Sequence, residues 1–254
     1  MTSPRTTMPA SSMPASSTPA SSTAASSTTG GRPLPAAVLW DMDGTLIDTE
    51  PLWMAAEIEL TSRFGVPWTA QDATELVGSA MVHSAGVLRA RGVDLPVPTI
   101  VDELTASVAR GVARQVPWQP GARDALATLR AAGVPLALVT SSYRPLAEPF
   151  ATVAGVFDVV VAGDDVSRPK PEPEPYLAAA RALGVPVERC VAVEDSRSGI
   201  ASALASGART LAVDGVQPVA DRPGLSRIRT LRDLTLDVLR DLAAGVVLEV
   251  PPTR

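Results

Sequence analysis

Residues 36–50 read AAVLWDMDGTLIDTE: five apolar residues running directly into a segment that opens with two carboxylates, Asp41 and Asp43. A continuous apolar run of this length predicts a parallel strand buried on both faces. The acids then lie at the strand's carboxyl end, where open α/β sheets bind ligands. Gly44 permits a turn there and a close backbone approach to an anion. The same pattern recurs downstream. Residues 135–140 (PLALVT) follow Gly133 and end in SSYR, and 157–162 (FDVVVA) end in GDD. Residues 190–194 (CVAVE) end in DSRSG, and 210–213 (TLAV) form a fifth strand.

Segments of helical spacing separate these runs. One stripe is Ala122, Ala125, Leu126 and Leu129; a second is Leu177, Ala180 and Leu183; a third is Ile200, Ala203 and Leu204. Gly133 and Gly184 stand just past two of them, as helix stop signals do. Strand–helix alternation predicts a layered, Rossmann-like α/β fold with a mostly parallel sheet. The gap between the first two strands, about 95 residues, is far longer than an ordinary crossover. It holds helical patterns at Trp53, Ala56, Leu60 and Phe64, at 79–90, and at Ile100, Val101, Leu104, Val108 and Val112. The expected organisation is a core of 33–50 and 118–254 with a helical cap, 51–117, inserted above the strand ends. Leu231, Leu234, Leu239 and Leu242 predict a last helix packed on the core.

The chain of 254 residues carries 22 Lys and Arg against 27 Asp and Glu, and its formal net charge of −5 gives no basic surface for nucleic acid or anionic membranes. One cysteine, Cys190, and one histidine, His83, rule out a disulfide framework, a Cys-rich zinc site and a multi-His metal site within one chain. Residues 8–27 repeat MPASS, MPASS, TPASS, TAASS, so 1–32 is expected to be a disordered tail. It lacks the apolar run of a secretory signal, and no later stretch approaches the ~18 apolar residues of a membrane span. The expected compartment is the cytoplasm.

Four polar clusters follow four of the strands: Asp41-Met42-Asp43-Gly44-Thr45, Thr140-Ser141, Lys170 in the proline-stiffened RPKPEP loop, and Glu194-Asp195. They offer a nucleophilic carboxylate, a second carboxylate for proton transfer, a fixed cation, hydroxyl and backbone donors, and oxygen ligands for a hard cation. Four acids against one ammonium leave three negative charges unmatched. A phosphate therefore needs Mg²⁺, which accepts a few carboxylate oxygens and keeps several waters. Arg144, just past the second cluster, is a candidate substrate contact. Asp48, Thr49 and Glu50 are read as supporting structure, Cys190 as buried and inert, and His83 as a surface residue of a cap helix. Trp53, Phe64 and Trp68 are expected to pack the cap, with one of them able to face the ligand.

In this order DMDGTLIDTE, LVTSS, RPKPEP and VEDSRSG resemble the four motifs of the haloacid dehalogenase superfamily, over about residues 36–215. The likeness is to its branch of small-molecule phosphatases and β-phosphoglucomutase-like enzymes. It implies that Asp41 attacks phosphorus and that Asp43 is the acid and then the base. Thr140 would contact the transferring phosphoryl group, helped by backbone near Gly44, Thr45 and Ser141, and Lys170 would hold Asp41 and neutralise phosphate. The Asp41 carboxylate, the Asp43 carbonyl and Asp195 would bind Mg²⁺, with Glu194 on the ion or one step removed. It also implies a first strand lying between the second and the fourth. Asp43 at the acid position excludes dehalogenation and phosphonate cleavage. The expected activity is hydrolysis of a small phosphorylated metabolite by a monomer or weak dimer. A phosphomutase is the alternative, weakened because VGSAMVH (77–83) has no Arg or Lys for a second phosphate. A catalytically silent binding protein is a further alternative.

Overall fold

The structure, a computed structural model, describes residue 1 and residues 32–77, 79–215 and 218–248. The repeat at 8–27 and Gly78 lie outside the described residues. Six parallel strands form one sheet: β1 Ala37–Trp40, β2 Leu136–Val139, β3 Val159–Val161, β4 Cys190–Glu194, β5 Arg209–Val213 and β6 Leu225–Ile228. Their order is β3-β2-β1-β4-β5-β6, so β1 lies between β2 and β4.

Alternation along the strands explains why the apolar runs are unbroken. Val38, Trp40, Leu136, Leu138, Val191 and Val193 face one hydrophobic cluster. Ala37, Leu39, Ala137, Val139, Cys190 and Ala192 face another. The first face is covered by α5 (Ala122–Ala131), α6 (Arg144–Ala154) and α9 (Leu236–Ala243). The second is covered by α7 (Glu174–Ala182) and α8 (Arg197–Ser206). Water is excluded from both sides, so a polar residue on the central strands has only their ends to occupy.

Between β1 and α5 the described residues form α1 (Glu50–Arg63), α2 (Ala70–Leu76), α3 (Met81–Ala90) and α4 (Val97–Arg114). Leu60, Leu88, Ile100, Leu104 and Val108 make their shared interior. The outgoing and returning chains run side by side: Asp48 N–H donates to the Pro117 carbonyl (2.8 Å) and Gln119 N–H to that of Leu46 (2.9 Å).

Several elements depart from the sequence reading. Strand β6 and helices α2 and α6 were not anticipated. The buried face of α7 is Pro175, Tyr176, Ala179 and Ala180, rotated from the Leu177–Ala180–Leu183 stripe, and it carries the Tyr176 hydroxyl to a buried partner, Glu194. The C-terminal helix α9 buries Leu239 and Leu242, whereas Leu231 lies in a short 3₁₀ turn and Leu234 follows it. Among the described residues no helix is long and apolar enough to cross a membrane.

Candidate active site

Asp41 continues straight from β1, its N–H donating to the Val193 carbonyl of β4 at 3.0 Å. Its Oδ1 accepts from Lys170 Nζ at 2.6 Å; the same ammonium donates to Glu194 Oε1 (2.6 Å) and the Val139 carbonyl (2.9 Å). Lys170 is buried, so burial alone would lower its pKa. Asp41 and Glu194 outweigh that and hold it above the ordinary lysine value. Burial, then the neighbouring Glu194, pushes Asp41 well above the carboxylate range. Among the described residues Asp41 Oδ2 receives no hydrogen bond, so one oxygen is pinned and the other is left for chemistry.

Asp43 is turned the other way. Its Oδ1 accepts from Thr49 Oγ1 (2.6 Å) and Trp53 Nε1 (3.3 Å). Its Oδ2 accepts from Thr140 Oγ1 (3.1 Å) and Ser142 Oγ (2.8 Å). One carboxylate thus joins the start of α1 to the tip of β2. Thr140 Oγ1 in turn accepts from the Ser142 N–H at 3.0 Å.

Asp41, Glu194 and Asp195 are all buried and can each place an oxygen within 4.8 Å of the others. Thr45 Oγ1 donates to Asp195 Oδ1 at 2.9 Å. Burial, then Glu194, pushes Asp195 up to about 8. Three buried acids around a single ammonium are short of positive charge, and oxygen is the only donor type. That set fits a hard divalent cation. Glu194 is the least available of the three. Its Oε1 already takes Lys170 and the Tyr176 hydroxyl (2.7 Å), and its Oε2 takes the N–H groups of Asp195 and Ser196 and the Ser196 hydroxyl. Gly44 is required by space as well as by its φ of +85°, since a Cβ there would lie 2.2 Å from Asp195 Oδ2.

The structure thus brings Asp41, Asp43, Gly44, Thr45, Thr140, Lys170, Glu194 and Asp195 to the ends of β1, β2 and β4. Ser141, half-buried, lines a cavity beside Asp43. The Asp43 carboxylate stands apart from the acidic cluster of Asp41, Glu194 and Asp195. Arg144 is not brought to the site: its guanidinium is paired with Asp165 (2.6 Å) and Glu148 (2.5 Å). The helix after β4 is capped by Ser196, which accepts from Gly199 N–H. His83 is exposed on α3, and Cys190 is buried.

Four participants escaped the sequence reading of the site. Ser142 sits one place past the quoted Thr-Ser pair. Trp53 was expected chiefly as packing, yet its indole N–H reaches Asp43. Tyr176 reads as an ordinary helix residue. Glu57 lies buried in α1 beside the same cavity; the signal was available in the spacing Glu50, Trp53, Met54, Glu57.

Comparison with known proteins gives the family and the fold. A family model described as haloacid dehalogenase-like hydrolase matches residues 35–207. Protein CbbY of Cereibacter sphaeroides is 35% identical over 200 residues, covering 70% of this chain and 84% of that protein. Hexitol phosphatase A of Escherichia coli is 31% identical over 210 residues, covering 80% and 91%. A crystal structure of a CbbY variant from Rhodobacter sphaeroides in complex with xylulose 1,5-bisphosphate superposes with a TM-score of 0.71 at 29% identity, covering 85% of this chain and all of that one.

Proposed function

Because the chain belongs to the haloacid dehalogenase-like hydrolase family, we propose that it is a Mg²⁺-dependent phosphatase acting on a small phosphorylated metabolite through an aspartyl-phosphate. The observation that carries this reading is the asymmetry of Asp41. Lys170 pins Oδ1 at 2.6 Å while Oδ2 has no donor among the described residues. Oδ2 attacks phosphorus and the bond to the leaving alcohol breaks. Asp43 gives its proton to the departing alkoxide. It then takes a proton from the water that attacks the aspartyl-phosphate, releasing phosphate and restoring Asp41. Thr140, Ser141 and backbone N–H groups near Gly44 steady the phosphoryl group. Asp41, Asp195 and the Asp43 carbonyl would hold the cation, with Thr45 fixing Asp195 and Glu194 chiefly anchoring Lys170. When bound there, Mg²⁺ supplies the positive charge that the buried acids and the incoming phosphate both lack.

Residues 51–117, which hold most of α1 and all of α2, α3 and α4, serve as the cap that admits the leaving group. Asp43 is placed to feel its position, since Trp53 belongs to the cap and Thr49 is the N-cap residue of the helix that enters it, while Thr140 and Ser142 belong to the core. The cavity at Asp43 is lined by the carboxyls of Asp43, Glu50 and Glu57 and, among the described residues, by no Lys, Arg or His. That lining favours hydrolysis over a mutase, which must bind a second phosphate. The CbbY variant bound to xylulose 1,5-bisphosphate and hexitol phosphatase A support a sugar- or polyol-phosphate substrate. Phosphate release from a panel of phosphate monoesters tests the reading. Mg²⁺-dependent release lost in Asp41→Asn is expected; release that survives that substitution would overturn it.

A further inference from the structure

Helix α1 presents Glu50, Trp53, Met54 and Glu57 at i, i+3, i+4 and i+7, a single face. All four line the cavity that also contains Asp43. An inward helix face is ordinarily apolar, and here it carries two carboxyls. Glu57 is the more enclosed, at 5% exposure. Its Oε2 accepts from Trp68 Nε1 at 3.0 Å, while Oε1 has no donor among the described residues. Burying a carboxyl with one neutral partner is costly, and a purely structural acceptor for Trp68 needs no charge. The cavity volume is about 70 Å³, several times the ~10–15 Å³ that one water requires. The Ser84 and Ser142 side chains also reach it, as do Leu76, Met81 and Leu104.

We propose that Glu57 determines specificity for the leaving group, its Oε1 accepting a hydrogen bond from a hydroxyl of a neutral polyol, so that the site takes polyol monophosphates and turns away a second anionic group. The inference rests on the phosphatase reading above and names its substrate class. Three carboxyls line the cavity with no Lys, Arg or His among the described residues, and in their ionised forms they repel phosphate or carboxylate there. Burial, opposed by the weaker effect of the Trp68 hydrogen bond, pushes Glu57 up to about 7. Near neutral pH its charged and uncharged forms coexist, and a hydroxyl, both donor and acceptor, suits either form. Trp68 is a positioning residue that acts through Glu57.

The test compares kcat/KM for a hexitol 6-phosphate, n-hexyl phosphate and a hexitol bisphosphate in the wild-type protein, Glu57→Leu and Trp68→Phe, with folding checked by circular dichroism. Wild type should favour the hexitol monophosphate over both others by at least about tenfold, the worth of one hydrogen bond to a charged group. Glu57→Leu should lose that preference by raising KM for the hexitol ester while n-hexyl phosphate is hydrolysed as well or better. Trp68→Phe should shift the hexitol KM in the same direction with kcat kept, which keeps the test decisive should Glu57→Leu fail to fold. Equal losses on both monoesters, an unchanged preference, or the bisphosphate as the best substrate would overturn the role of Glu57 and leave the phosphatase reading standing. Wild-type protein that hydrolyses none of the esters would overturn both.

Discussion

Replacing Lys170 with Met keeps the length of the side chain and removes its charge from the middle of the site. Lys170 is 4% exposed and donates at 2.6 Å to Asp41, 2.6 Å to Glu194 and 2.9 Å to the Val139 carbonyl. Removing one partner of a buried ion pair typically costs about 3–5 kcal/mol, because the charge left behind has no compensation. For a folded body of roughly 150–250 residues each kcal/mol moves Tm by about 2–4 °C, so Lys170→Met should melt roughly 6–20 °C below wild type at pH 8. The loss should shrink at pH 5. Burial and Glu194 hold Asp41 above its ordinary value, so it takes up a proton more readily as pH falls, and a protonated Asp41 no longer needs the ammonium. Adding Glu194→Gln to Lys170→Met should restore part of the loss, since one of the two stranded carboxyls is gone. Thermal melts by circular dichroism in EDTA at both pH values read all three quantities. A fall of less than about 2 °C at pH 8, or one equal at pH 5 and pH 8, would refute the claim that Lys170 is held in place as the counter-charge of two buried acids.

Two further outcomes follow from the acidic cluster. Burial, then Glu194, raises Asp195 from 3.8 to about 8, so in the metal-free protein its contribution to stability is full below about pH 4 and is lost as pH rises through 8. A divalent cation competes with that proton, and the Tm gain on adding Mg²⁺ should therefore grow from pH 5 to pH 8; a gain that is constant or larger at pH 5 contradicts the assignment. Gly44→Ala would set a methyl group 2.2 Å from Asp195 Oδ2 on backbone at φ +85°, adding about 1–2 kcal/mol of strain to the displacement of that carboxylate. Calorimetric titration should show Mg²⁺ affinity sharply reduced, and an unchanged affinity would mean that Asp195 does not bind the ion.

What was legible in the sequence follows the physics of each element. The strands that carry the site are buried on both faces, which writes them as unbroken apolar runs ending in polar residues; β1, β2 and β4 were therefore readable together with Asp41, Thr140, Glu194 and Asp195. Strand β6 reads LSRI, with Ser226 and Arg227 between its two apolar residues, so no apolar run marks it. Helix α2 buries only Ala73 and is identified instead by its Thr69–Asp72 capping box. Side-chain direction was the hardest property to read. Arg144 stands close to Thr140 in sequence, yet nearby acids, Asp165 and Glu148, hold it away from the site. Tyr176 and Glu57 have their roles because a particular helix face turns inward, which composition alone does not decide. Trp53 is both packing and hydrogen-bond donor, and only its indole N–H on Asp43 separates the two.

The central claim is that Asp41 carries the phosphoryl group. Acid quenching of the protein with Mg²⁺ and a phosphate monoester it hydrolyses, followed by peptide mass spectrometry, tests it directly. The account predicts one phosphoryl group on the peptide containing Asp41, absent in Asp41→Asn and more abundant in Asp43→Asn if hydrolysis of the intermediate is slowed more than its formation. Steady phosphate release with no phosphorylated peptide at any quench time, or phosphorylation at a residue other than Asp41, would contradict it.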